Sequence, residues 1–105
     1  MLDVKTWLES TGLPVEFVSF EKAPALPFIA YLENSNVYGS DSYNLLIERD
    51  VTIELYAKRP GTDSESLIEQ LLDHKAFEYQ KSTVWLPSER CHMIVYNIKF
   101  TERKQ

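Results

Sequence analysis

The chain is poor in the residues from which most sites of chemistry are built. Cysteine occurs once, at Cys91, so no internal disulfide can form, which fits a reducing compartment. Histidine occurs twice, at His74 and His92. Cys91 and His92 are adjacent and would point to opposite faces of a strand, so these three residues do not supply the four paired ligands of a structural zinc site. The three glycines, Gly12, Gly39 and Gly61, are too far apart to form a phosphate-binding loop. Serines occur, but not in the Gly-x-Ser-x-Gly elbow of a hydrolase nucleophile. There is no apolar run of about 18 residues, so no membrane span is expected. Met1-Leu2-Asp3-Val4-Lys5 lacks the basic-then-apolar order of a secretory leader. The expectation is no catalytic residue, no metal and no cofactor.

Basic charge is also short. Formal net charge is -5, and the basic residues are scattered, the closest cluster being Arg103-Lys104. That argues against the basic patch of a nucleic-acid-binding surface. Hydrophobic content of 44% and charged content of 26% are ordinary for a globular protein, and 105 residues suffice for one domain spanning residues 1–105.

What is present is strand and helix patterning. Asp50 to Lys58 is the clearest strand: Val51, Ile53, Leu55 and Ala57 share one face, and Thr52, Glu54, Tyr56 and Lys58 the other. Leu45 to Glu48 can extend it upstream, with an irregularity near Arg49-Asp50. His92 to Thr101 alternates in the same way and is a natural antiparallel neighbour. Phe28 to Glu33 is apolar at nearly every position and reads as a covered strand. Val15 to Val18 reads as a short edge strand. Phe77–Gln80 and Val84–Leu86 read as two short strands around a turn at Lys81-Ser82-Thr83. Leu2 to Gly12 carries helical spacing with Asp3 as its cap. A second helix is predicted from about Asp63 to His74, opened by the Thr62/Glu65 capping box, with Leu67, Ile68, Leu71 and Leu72 as its apolar stripe. The fold class is α+β: a mainly antiparallel sheet of about four to six strands with two helices packed on one face.

The polar stretch Asn34 to Asn44 joins two strands and reads as a long hairpin loop. Tyr38, Asp41 and Tyr43 within it are candidate subunit or partner contacts, because tyrosine offers large contact area at low entropy cost. Glu54 and Tyr56, on the second face of the central strand, are candidates of the same kind. Trp7, Trp85, Phe28 and Phe100 read as core. Glu65, Glu69 and Asp73 recur every four residues along one side of the second helix. They form either a solvated face or a face turned towards a basic partner or an acidic channel.

Three stretches carry a family likeness: Pro24-Ala25-Leu26-Pro27-Phe28-Ile29-Ala30-Tyr31-Leu32-Glu33, Asp50 to Lys58, and Trp85-Leu86-Pro87-Ser88-Glu89. In this order, with the acidic helix between them, they resemble the small neck or tail-completion proteins of long-tailed bacteriophages and prophages of Gram-positive bacteria. The resemblance implies a non-enzymatic tail terminator, a ring of like copies, commonly a hexamer, at the head–tail joint. Its implied partners are tail-tube and head-connector proteins, with DNA only as passing cargo and no membrane. Its implied location is the host cytoplasm during assembly and then the virion neck. On this reading Glu65, Glu69 and Asp73 approach the channel. A connector-side head-completion protein and a host protein-binding adaptor are the alternatives.

Overall fold

In the computed structural model, which describes residues 1–39 and 46–103, seven elements follow in order. They are α1 (Val4–Glu9), β1 (Val15–Phe17), β2 (Phe28–Tyr38), β3 (Leu46–Ala57), α2 (Asp63–His74), β4 (Tyr79–Leu86) and β5 (Cys91–Arg103). The strands form one sheet in the order β1-β2-β3-β5-β4. All pairs are antiparallel except β1 with β2, which is parallel. The α+β class and the central place of β3, flanked by β2 and β5, agree with the sequence.

Alternation decides what each face of β3 does. Its odd positions, Ile47, Arg49, Val51, Ile53, Leu55 and Ala57, are all buried, and its even positions are not. Val51, Ile53 and Leu55 meet Ile29, Tyr31, Ile94, Tyr96 and Ile98 from the flanking strands, and Val4, Leu8, Ile68 and Leu72 from the helices. The fully buried aliphatics among these contribute roughly 1.5–3 kcal/mol each by leaving water. Both helices therefore cover the odd face. α1 is only 6 residues long; the Asp3 carboxylate accepts from the Thr6 amide at 3.2 Å, and Gly12 reverses the chain at φ 86°.

Five expectations are corrected. Asn34 to Tyr38 is strand, not loop: β2 pairs with β3 out to Tyr38–Leu46, where Asn34-Ser35-Asn36 suffice because, among the described residues, no helix covers them. The register of β3 runs unbroken through Arg49-Asp50, so there is no irregularity there. Lys81-Ser82-Thr83 is not a turn, since β4 continues through it against β5, and the reversal lies at Pro87–Arg90. Leu67 is 37% exposed, whereas the buried side of α2 is Ser64, Glu65, Ile68 and Leu72. Of the residues expected in the core, Trp85 is half-exposed at the outer strand β4, and Phe28 is partly buried on the opposite face, against Tyr56.

Strand β1 stops at Phe17 because the chain turns sharply. Val18 has φ 65°, and the Ser19 amide donates to the Phe17 carbonyl at 2.8 Å, a γ-turn geometry costly for a β-branched residue. The molecule measures 50 × 28 × 22 Å with a radius of gyration of 15.0 Å, against roughly 13 Å for a compact chain of this length. The excess length lies in the arm of the sheet formed by the far ends of β2, β3 and β5.

Candidate assembly surface

Among the described residues, no helix lies on the even face of the sheet. That face presents Leu32, Asn34, Asn36 and Tyr38 from β2, Glu48, Thr52, Glu54 and Tyr56 from β3, and Val95, Asn97 and Lys99 from β5. Thr52 Oγ1 donates to Asn97 Oδ1 at 2.9 Å across the two central strands. Leu32 at 36% and Tyr38 at 51% exposure are large apolar groups left to solvent on this face.

One end of that face is covered by the chain itself. The Tyr56 ring stacks on Phe28 at 4.9 Å, and Phe28 meets the edge of Phe20 from the segment after β1. Tyr56 Oη donates to Glu54 Oε1 at 3.0 Å. Burial, then the Glu54 carboxylate, pushes the Tyr56 phenol up to about 12. Of the candidate contacts, Tyr38 stands exposed at the end of β2 and Glu54 is half-buried beside Tyr56. Asp41 and Tyr43 lie outside the described residues.

The acidic residues of α2 are divided. Glu65 is 6% exposed; it accepts from the Thr62 amide at 3.3 Å and from the Gly61 amide, closing the start of the helix. Lys81 of β4 reaches up between Glu65 and Glu69 at 2.7 Å from each. The buried Tyr96 hydroxyl donates to Glu69 at 2.7 Å. Burial alone would raise both carboxyls; the Lys81 ammonium outweighs it and holds them below the usual range. Burial and Glu69 raise the Tyr96 phenol far above its ordinary value. Their four-residue spacing thus brackets one internal cation, and only Asp73 of the three is exposed. No pattern along the chain signals this, because Lys81 is remote from both glutamates.

A second ion cluster closes the core beneath the N-terminal segment, and sequence reasoning missed it too. Arg49, 7% exposed, pairs with Glu33 of β2 and, at 2.8 Å, with Glu102 of β5. Its guanidinium also donates to the Leu2 carbonyl at 2.6 Å and lies 5.2 Å from the Phe100 ring centre. Glu102 in turn accepts from the Leu2 amide at 2.8 Å. The Glu33 hydrogen bond, outweighing desolvation, raises the Arg49 pKa further.

A surface cavity of about 610 Å³ is lined by Leu26, Pro27, Ala57, Lys58, Arg59, Thr62 and Ser64. Two cations and two hydroxyls line it, with no carboxylate or imidazole to act as a general base. Among the described residues, the geometry is that of a sheet with one helix-covered face and one open face.

No protein-family model matches the chain, and no curated protein sequence matches it. Among solved structures, it is similar to a chain of the virion of a native gene transfer agent particle. The TM-score is 0.63 at 11% identity, covering 92% of this chain and 84% of that one. The likeness is one of fold.

Proposed function

We propose that this chain is a non-enzymatic structural subunit of a phage-like virion, acting as a tail terminator that forms a ring at the head–tail joint. The observation that carries the reading is the fold shared over 92% of the chain with a gene transfer agent virion chain. The phage neck resemblance of Pro24–Glu33, Asp50–Lys58 and Trp85–Glu89 supports the finer assignment. So does the uncovered sheet face, which suits a subunit that works by contact. Its partners are other copies of itself, the tail tube and the head connector, with DNA passing through.

In such a ring, Tyr38, with Asp41 and Tyr43 beyond it, contacts a neighbour, and Glu54 and Tyr56 stand at the edge of the contact face. The channel-facing role of α2 falls mainly on Asp73, since Glu65 and Glu69 are paired with Lys81. Negative charge there would let DNA slide rather than bind. An assembled ring with α2 outward would overturn that placement.

The test is deletion of the gene in its phage or prophage, followed by electron microscopy of the particles. Filled heads separate from over-long tails are expected. Normal virions would refute the proposal, and tails of normal length beside emptied heads would point to head completion.

A further inference from the structure

Both sides of the sheet carry strand edges without the usual protection. Natural edges are blunted by proline, bulges, short length or outward charge. Strand β4 has 8 residues, no proline and an unbroken register with β5. Its one charge, Lys81, is turned inward to Glu65 and Glu69. Val84 and Trp85 on it are 42% and 50% exposed. On the other side, β1 pairs with β2 only at Ile29–Tyr31. Among the described residues, Leu32 to Tyr38 pairs only on its β3 side. That stretch also lacks proline, and its charge, Glu33, is held by Arg49.

The ladder fixes which groups are free. The Ile29 amide and the Tyr31 carbonyl bond towards β1 and the segment beside it, so odd residues of β2 point outward. Continuing the alternation leaves Glu33, Ser35 and Val37 with outward backbone groups on β2. By the same alternation across β3 and β5, Tyr79, Lys81, Thr83 and Trp85 point outward on β4. Strand β4 runs antiparallel to β2 through the sheet order. If the sheet continues into a second copy, β4 of that copy meets β2 antiparallel with the same faces aligned.

We propose that copies of this chain join head to tail, β4 of one adding to the β2 arm of the next. This rests on the ring reading above and names its interface. Strand β1 blocks the lower part of β2, so the register that keeps β4 clear of it sets Thr83 opposite Ser35, Trp85 opposite Glu33 and Lys81 opposite Val37. Within one sheet, Tyr79 is level with Glu33 and Val84 with Phe28. Joining therefore shifts each copy by about six residues along the strands, about 20 Å at the rise of a strand. A repeated stagger of one sign tilts the strands and curls the sheet towards closure, whereas an unstaggered contact would extend a ribbon. The contact is heterologous, the type that generates rings when its rotation closes. It brings Leu32 near Val84 on the open face and places Val37 and Trp85 along the joint on the other.

The test is cysteine crosslinking of the purified full chain. A hydrogen-bonded antiparallel pair places its Cα atoms about 5.5 Å apart, within disulfide reach. A Ser35→Cys/Thr83→Cys variant, oxidised mildly, should give a ladder of multimers on a non-reducing gel. The two single variants mixed should give one crosslinked dimer and nothing larger. Thr83→Pro, which removes only an outward amide, should abolish multimers by light scattering, yet should still cap Ser35→Cys/Thr83→Cys chains through its intact β2 arm; an unfolded chain could not. Dimers from either single variant alone, no crosslinking at all, or multimers undiminished by Thr83→Pro would overturn the interface. Those results leave the virion reading to the gene deletion, which fails independently.

Discussion

Replacing Arg49 by Met tests whether the ion cluster under the N-terminal segment holds the upper end of the core. Methionine keeps much of the arginine stem but leaves Glu33 and Glu102 without a cation. Removing one partner of a fully buried pair costs about 3–5 kcal/mol. Here the Arg49 side chain is 9% exposed, but Glu33 and Glu102 keep 20% and 21%, so water relieves part of the loss. The expected cost is about 2–4 kcal/mol near neutral pH, a fall in Tm of roughly 10–25 °C for a chain of this size. The sign with pH follows from Glu102. Burial raises its carboxyl, but Arg49 and the Leu2 amide outweigh this and hold it below the usual range. In the native protein its contribution is full above the ordinary carboxylate pKa and is lost as pH falls through the lower folded value. In Arg49→Met the Glu102 carboxyl loses that support, and protonating it relieves the defect. The gap between the two proteins should therefore narrow from pH 7 towards about pH 4. Urea unfolding at both pH values measures it, and Arg49→Met/Glu33→Gln/Glu102→Gln should recover at least half of the loss. A cost under about 1 kcal/mol, or one equal at both pH values, would refute the electrostatic account.

Tyr96→Phe removes the donor to Glu69 while leaving the ring in place. A loss of about 1–2 kcal/mol in urea unfolding is expected, because the acceptor is charged but part-exposed. Leu72→Ala should cost about 2–5 kcal/mol, and Leu67→Ala on the exposed side of α2 less than about 1, both read by thermal unfolding. The lone Cys91 is 2% exposed, and burial, then Glu89, raises its thiol. A thiol reagent should label it only after denaturant is added.

Strong periodicity made part of this structure legible. The alternation of Asp50–Lys58 and His92–Thr101 located the two central strands, and the Thr62 to His74 pattern located α2 at Asp63–His74. Composition misled where strands carry no core. Asn34-Ser35-Asn36 looks like a turn, but it needs only backbone partners, which Glu48 to Asp50 provide. Lys81-Ser82-Thr83 failed similarly: the lysine faces a helix that only the tertiary fold brings above it. Arg49 looked like a break in β3 because a cation interrupts an apolar series. It sits on the core face, and its partners Glu33 and Glu102 become its neighbours only once both registers are known. Of the candidate surface, the second face of β3 with Glu54 and Tyr56 was legible; the edges were not, because they depend on which strands lie outermost.

The arm is the part of the sheet that the core does not explain, and shortening it separates stability from assembly. Replacing residues 37–47 with Asn-Gly would close β2 and β3 directly above Asn36 and Glu48. By the ladder alternation these two form a hydrogen-bonded pair, the kind a two-residue type I′ turn closes. The change removes the exposed Val37, Tyr38 and Leu46 and one buried side chain, Ile47. The lost burial costs about 1–2 kcal/mol, and a shorter connection returns a few tenths of a kcal/mol in closure entropy. Arg49, Glu33 and Glu102 stay in place beneath the new turn. Urea unfolding should therefore show a loss of no more than about 2 kcal/mol, whereas crosslinking through Ser35 and Thr83 should disappear, because the edge above Ser35 is gone. A loss much above 3 kcal/mol would mean that the arm belongs to the core, contrary to its lack of helix cover. Undiminished multimers would mean that the copies join elsewhere.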